Sequence, residues 1–162
     1  MYLKQKDIFW AMSKGFVKEI MNIAETETHK AGKLLFQEGD PANQFYVLLK
    51  GRVKLVLGKT GHVVYIISNA GEAFGWSSLI GRASYSAAAE CLTSTKLLRL
   101  DKEKLQKIID KDTANGMRLF KRLAEVLGNR LLQSYAMISS ATIAEASASF
   151  GTGQVIDVTA AE

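Results

Sequence analysis

The sequence predicts a mainly β fold, a sandwich or barrel with helices on both flanks. Three observations carry that reading: glycine-punctuated β-rich runs between residues 28 and 100, an amphipathic helical stretch before them, and two N-capped helical patterns after them.

In residues 7–25, "DIFWAMSKGFVKEIMNIAE", the apolar Ile8, Phe9, Met12, Phe16, Ile20 and Ile23 recur mostly every three or four positions, with a break at Gly15. Two short helices are expected there. The texture then changes to "KLLFQEG", "QFYVLLKGRVKLVLG", "HVVYIIS" and "AAAECLTSTKLLRL". Such short runs with Gly-marked turns fit an antiparallel sandwich or barrel and not a parallel α/β sheet. Asp101 stands as N-cap before "KEKLQKIID", where Leu105, Ile108 and Ile109 share a face. Asp112 or Thr113 opens a longer helix over about 112–138, with Met117, Phe120, Leu123, Leu127, Leu131 and Tyr135 on a narrow stripe. A stripe longer than a small barrel can cover predicts pairing with another helix, hence a homodimer. The stretch 139–162, rich in Ala, Ser, Thr and Gly, is expected to be a flexible tail beyond a domain of residues 1–138.

At 162 residues, 48% apolar and 23% charged, the chain has the length and balance of one soluble domain. Its apolar runs, such as 45–49 and 63–67, fall far short of the roughly twenty residues that cross a bilayer. The start "MYLKQKDIFWAMSKG" lacks a secretion signal, so the expectation is a cytoplasmic protein with no membrane partner. Cys91, His29 and His62 have no metal-site spacing, and a single cysteine forms no internal disulfide. Cys91 reads as a buried structural cysteine, the histidines as surface residues. The net charge of +5 resides in residues 96–130, where Lys and Arg alternate with acids in the manner of a solvated face. There is no paired-carboxylate cluster, Gly-x-Ser-x-Gly elbow or Walker loop, which argues against an enzyme.

The stretch "FQEGDPANQFYVLLKGRVKL" stops one strand at Gly39, turns at Asp40-Pro41 and resumes at Gln44. With "AGEAFGW" and "LLRLDKEKL" at the expected later positions, it resembles the cyclic-nucleotide-binding domain family over about residues 8–135. The resemblance implies an eight-stranded jelly roll over about 28–100, N-terminal helices and a long C-terminal helix.

It also implies a phosphate-binding cassette in "FGWSSLIGRASYSAAA": a Phe-Gly-Glu start, then, nine residues after the glutamate, an arginine that pairs with phosphate. Phe74 and Gly75 match that form. Trp76 takes the glutamate position and Tyr85 the arginine position, followed by Ser86-Ala87. Losing both charged contacts, each worth roughly 1.5–3 kcal/mol, weakens a cyclic nucleotide's usual pose by two or more decades. The loop retains hydroxyls on Ser77, Ser78, Ser84, Tyr85 and Ser86, and its one cation is Arg82. Phe74, Gly75, Trp76, Ser77, Ser78, Leu79, Arg82, Ser84, Tyr85, Ser86 and Ala87 are therefore the candidate ligand site, read as re-purposed. Cyclic AMP, cyclic GMP or another small molecule is the candidate effector.

Three functions remain open: a small-molecule sensor signalling through the C-terminal helix to a separate output protein, a ligand-free dimerisation or interaction scaffold, and a transcriptional regulator without its own DNA-binding domain. Residues 139–162 lack a basic helical pattern, so no specific nucleic-acid binding is expected.

Overall fold

The computed structural model describes residues 7–58, 62–142, 147–150 and 154–157. Eight strands form two antiparallel four-stranded sheets, the eight-stranded roll implied by the resemblance. In chain order the elements are α1 (Lys14–Ile23), β1 (Glu25–His29), β2 (Leu34–Phe36), β3 (Gln44–Lys50), β4 (Val53–Leu57), β5 (His62–Ile67), β6 (Ala73–Phe74), β7 (Ala88–Cys91), β8 (Thr95–Asp101), α2 (Lys102–Lys111) and α3 (Thr113–Thr142). One sheet runs β1-β8-β3-β6, the other β2-β7-β4-β5. By contacts the chain divides into Met1–Arg122 and Leu123–Glu162, which are described separately.

In the first unit, alternation along β3 sorts side chains between two faces. Tyr46 and Leu48 join Phe36, Leu55, Ile67, Phe74 and Leu97 in the core between the sheets. Phe45 and Val47, also fully buried, point the other way and pair with Leu100 and Leu98 of β8, against which α1 and α2 pack. Each such large apolar side chain, once buried, stabilises the fold by roughly 1.5–3 kcal/mol. Gly51 closes the β3–β4 turn at φ +99°, and a Cβ there would lie 2.5 Å from the Ser94 carbonyl oxygen. Asp101 caps α2 by accepting from the Lys104 N–H at 3.0 Å, and Asp112 caps α3 through the Asn115 N–H at 3.1 Å. Cys91 is fully buried beside Thr95, and burial pushes its thiol pKa up.

Two local expectations are corrected. Residues 7–11 form a turn and not a first helix: Asp7 and Ile8 tuck into the body, with the Ile8 N–H donating to the Gly71 carbonyl at 3.1 Å and Ala11 at φ 65° ending any helical path. The roll begins at Glu25, because the polar run "ETETH" is edge strand β1, whose Glu25 and Glu27 carboxylates grip Arg99 of β8. An edge strand lying on a charged partner needs no apolar face.

The second unit holds most of α3, which continues past the expected end at 138 to Thr142. Residues Ser147–Phe150 (β9) and Gln154–Asp157 (β10) pair antiparallel within the stretch expected to be a flexible tail. The rest of that stretch lies outside the described residues.

Asp7 is 4% exposed, and burial raises its carboxyl above the usual 3.8 despite the Arg122 charge and the Phe9 N–H. Ionising it therefore costs folded-state stability. Wild type minus Asp7→Asn, compared by urea unfolding, should lose stability as pH rises from about 3.8 through the raised folded value, then level off. Asp112, held low by Asn115, has the opposite sign but cancels between the two proteins. A difference that is constant across pH 3–7 would refute this account of Asp7.

Candidate functional site

Gly75 turns the chain from β6 into the loop at φ +72°, with room for a Cβ only at 3.0 Å from both the Gln44 carbonyl oxygen and the Tyr46 ring. Glycine lets the loop lie directly on β3. Trp76–Ser78 then makes one 3-10 turn, closed by the Leu79 N–H to the Trp76 carbonyl at 2.9 Å. The Ser78 hydroxyl donates to the Gly75 carbonyl at 2.8 Å, so this buried group is already satisfied inside the loop.

Beyond Gly81 the chain runs back along the 39–42 turn. Ala42 N–H donates to Ala83, Tyr85 N–H to Asp40, and Gly39 N–H to Tyr85, each at 2.9 Å. Pro41 pairs with Ser84 in the same short ladder. The turn of the "EGDPA" motif is thus the rail that fixes the loop's return strand, and Asp40 holds it by accepting the Gln37 N–H at 2.8 Å.

Tyr85 is fixed by this ladder through its backbone and by two further attachments through its side chain. Its ring stacks on Phe36 with centroids 3.8 Å apart and planes 18° from parallel, at the end of a series through Tyr46 and Phe74. Stacked aromatic pairs are worth roughly 0.5–1.5 kcal/mol beyond burial. Its hydroxyl donates to the Gln44 carbonyl at 2.7 Å and accepts the Gln44 N–H at 3.0 Å. Burial raises the phenol's pKa, so the hydroxyl keeps its proton and can donate.

Next to Tyr85 lies a cleft of about 20 Å³, lined by Phe36, Leu55, Gly75, Trp76, Ser77, Tyr85, Ser86 and Ala87. That volume admits about one water molecule. No lysine or arginine lines it. Of the candidate residues, six line this cleft. Phe74 lies in the core between the sheets, Ser78 and Leu79 are buried in the loop, and Arg82 and Ser84 are exposed. Phe36, Leu55 and the Gln44 backbone were not among the candidates. Phe36 opens the quoted motif, a usable signal; a backbone partner such as Gln44 leaves none in the sequence.

Elsewhere, His29 meets Glu27 at 2.9 Å on β1, and no group of His, Cys, Asp and Glu among the described residues could hold a metal ion. No described helix is long and apolar enough to cross a membrane.

The cyclic nucleotide-binding domain profile matches residues 26–112. The chain belongs to the cyclic nucleotide-binding domain family. It is 27% identical over 107 residues to the cAMP-dependent protein kinase regulatory subunit of Schizosaccharomyces pombe, an overlap of 66% of this chain and 26% of that protein. It is 31% identical over 110 residues to Rap guanine nucleotide exchange factor 3 of Mus musculus, covering 67% of this chain and 12% of that one. The chain therefore spans about a quarter or less of these relatives. A cyclic nucleotide-binding domain from Methylobacillus flagellatus superposes with a TM-score of 0.74 at 22% identity, over 83% of this chain and 80% of that chain, which supports the fold alone. In this cyclic nucleotide-binding domain, no charged side chain lines the cleft beside Trp76 and Tyr85.

Gly75→Ala should lower stability by about 2 kcal/mol, since it combines a left-handed φ with two 3.0 Å approaches. The check is a lower urea midpoint at unchanged slope; a midpoint within error of wild type would mean the loop does not need that close approach.

Proposed function

We propose that this domain is a regulatory module that senses a small effector at the cleft between the 75–87 loop and the roll, and that the effector is held by ring stacking and hydroxyl hydrogen bonds. One observation supports this above the rest: the cleft is lined by aromatic and aliphatic side chains, serine and tyrosine residues and the Gly75 backbone, with no cation to neutralise a phosphate. Cyclic AMP and cyclic GMP are consequently weak effectors in the usual pose, and a planar, uncharged molecule is favoured. Membership in a family with regulatory relatives supports a sensing role over a catalytic one.

The signal leaves through α3. Its first turn is tied to α1, because the Asn115 side chain accepts the Ser13 N–H at 3.0 Å and donates to the Ser13 hydroxyl at 3.2 Å. Gly116 sits so close to Ile109 of α2 that a Cβ would meet it at 2.8 Å. An effector shifts α3 only by its differential affinity for two arrangements of these contacts. Farther along, Leu131, Leu132, Tyr135, Met137 and Ile138 are exposed, which supports a homodimer through α3. A separate output protein in the cytoplasm completes this reading. The competing reading, a scaffold with no effector, is favoured by the small cleft volume.

A thermal-shift panel of cyclic nucleotides, linear nucleotides, nucleosides and uncharged aromatic metabolites separates the two readings. An uncharged planar compound should raise the melting temperature and move α3 amide resonances, while cyclic AMP stays below a detectable shift at micromolar concentration. No shift from any compound at millimolar concentration would leave the scaffold standing. For the interface, Leu127→Glu with Leu131→Glu should halve the mass seen by sedimentation; an unchanged mass excludes α3 as the dimer contact.

A further inference from the structure

We infer that the cleft contains a subsite for a neutral phenolic ring, with Tyr85 as its resident occupant and gate: an external hydroxylated aromatic molecule fills the place that the Tyr85 side chain vacates. This deepens the reading above and rests on it for its regulatory meaning.

The chemical class follows from the pairing at Gln44. One oxygen there both donates to a carbonyl at 2.7 Å and accepts from an N–H at 3.0 Å of the same residue. A hydroxyl meets both demands. A carboxylate or phosphate oxygen only accepts and would face the Gln44 carbonyl unpaired; an ammonium only donates and would leave the N–H unpaired. The Phe36 ring at 3.8 Å then requires a flat partner, and the absence of lysine and arginine from the lining removes any reward for negative charge.

The gate follows from how Tyr85 is held. Its backbone is fixed by the Gly39 and Asp40 hydrogen bonds, whereas the ring and hydroxyl occupy the subsite through the side chain alone. The ring can therefore rotate out while the loop stays zipped to the 39–42 turn. The wall that it would uncover contains Ser86, Ala87 and Trp76, none of them fully buried. A ligand competing with this resident group binds with an affinity reduced by the small fraction of open molecules.

The test uses p-cresol, which is the Tyr85 side chain as a free molecule, with toluene and p-toluate as controls lacking the hydroxyl or carrying a charge. Tyr85→Ala should melt lower than wild type and be restored by p-cresol, with at least about tenfold weaker binding of both controls, since each leaves a Gln44 group unpaired. Tyr85→Phe keeps the stack but releases Gln44, so p-cresol should bind it at least about tenfold tighter than wild type, and Gln44 amide exchange should accelerate by a similar factor. The second variant carries the test even where the alanine variant does not fold. Toluene or p-toluate rescuing as well as p-cresol overturns the subsite; equal p-cresol affinity for Tyr85→Phe and wild type overturns the gate. Rescue requires neither a natural effector nor a response of α3. Rescue with α3 resonances unmoved would therefore sink the regulatory reading and leave the subsite intact.

Discussion

Strand β3 is buried on both faces, and the arrangement of the rest of the first unit follows from that constraint. A strand in this position must satisfy two ladders, with β8 along its length and with β6 at Tyr46 and Val47, while filling two cores of different character. The sequence meets this with four consecutive buried residues, Phe45 to Leu48, in which alternation still matters. Tyr46 and Leu48 complete the aromatic and aliphatic core between the sheets, and Phe45 and Val47 are buried on the other face beside Leu100 and Leu98 of β8, the strand on which α1 and α2 pack. One strand thereby contributes the backbone of the candidate site at its first residue, Gln44, and buried side chains to both faces over the next four.

The tyrosine at position 85 finds its partners inside the fold: its hydroxyl meets the Gln44 carbonyl and N–H, and its ring stacks on Phe36. The polar groups of the loop are similarly satisfied from within, as the Ser78 hydroxyl on Gly75 shows. The loop thus finds these partners within the domain.

How much of this was legible in the sequence depended on whether the determinant was a side-chain pattern. Strands β2 to β5 were readable because alternation and Gly-marked turns state where a chain reverses, and the Asp101 cap was readable because a short acceptor before an amphipathic run has few other uses. Strand β1 was not, since "ETETH" has the composition of a solvated segment, and it is its ladder with the distant β8, joined by the Arg99 ion pairs, that makes it a strand. The apolar positions at Ile8, Phe9 and Met12 are buried as their spacing suggested, but on a turn, because burial fixes which residues face inward and not the path between them. At the site, the six loop residues that line the cleft were legible as one stretch. The Gln44 carbonyl and N–H were not, as every residue but proline has the same pair and only the fold selects one.

Helix α3 begins under strict control. Asp112 caps it, Gly116 permits its close crossing with α2, and Asn115 ties it to the cap of α1, where Ser13 accepts the Phe16 N–H as well. Each of these polar ties is individually modest, since a neutral hydrogen bond contributes roughly 0.5–1.5 kcal/mol net. Burial adds to them: Asn115, Gly116 and Leu119 are buried about one turn apart, and a large apolar side chain such as Leu119 stabilises by roughly 1.5–3 kcal/mol once buried. Any rearrangement of this end of the helix must therefore repack Leu119 as well as break the Ser13–Asn115 tie, so the polar contacts alone do not set its cost.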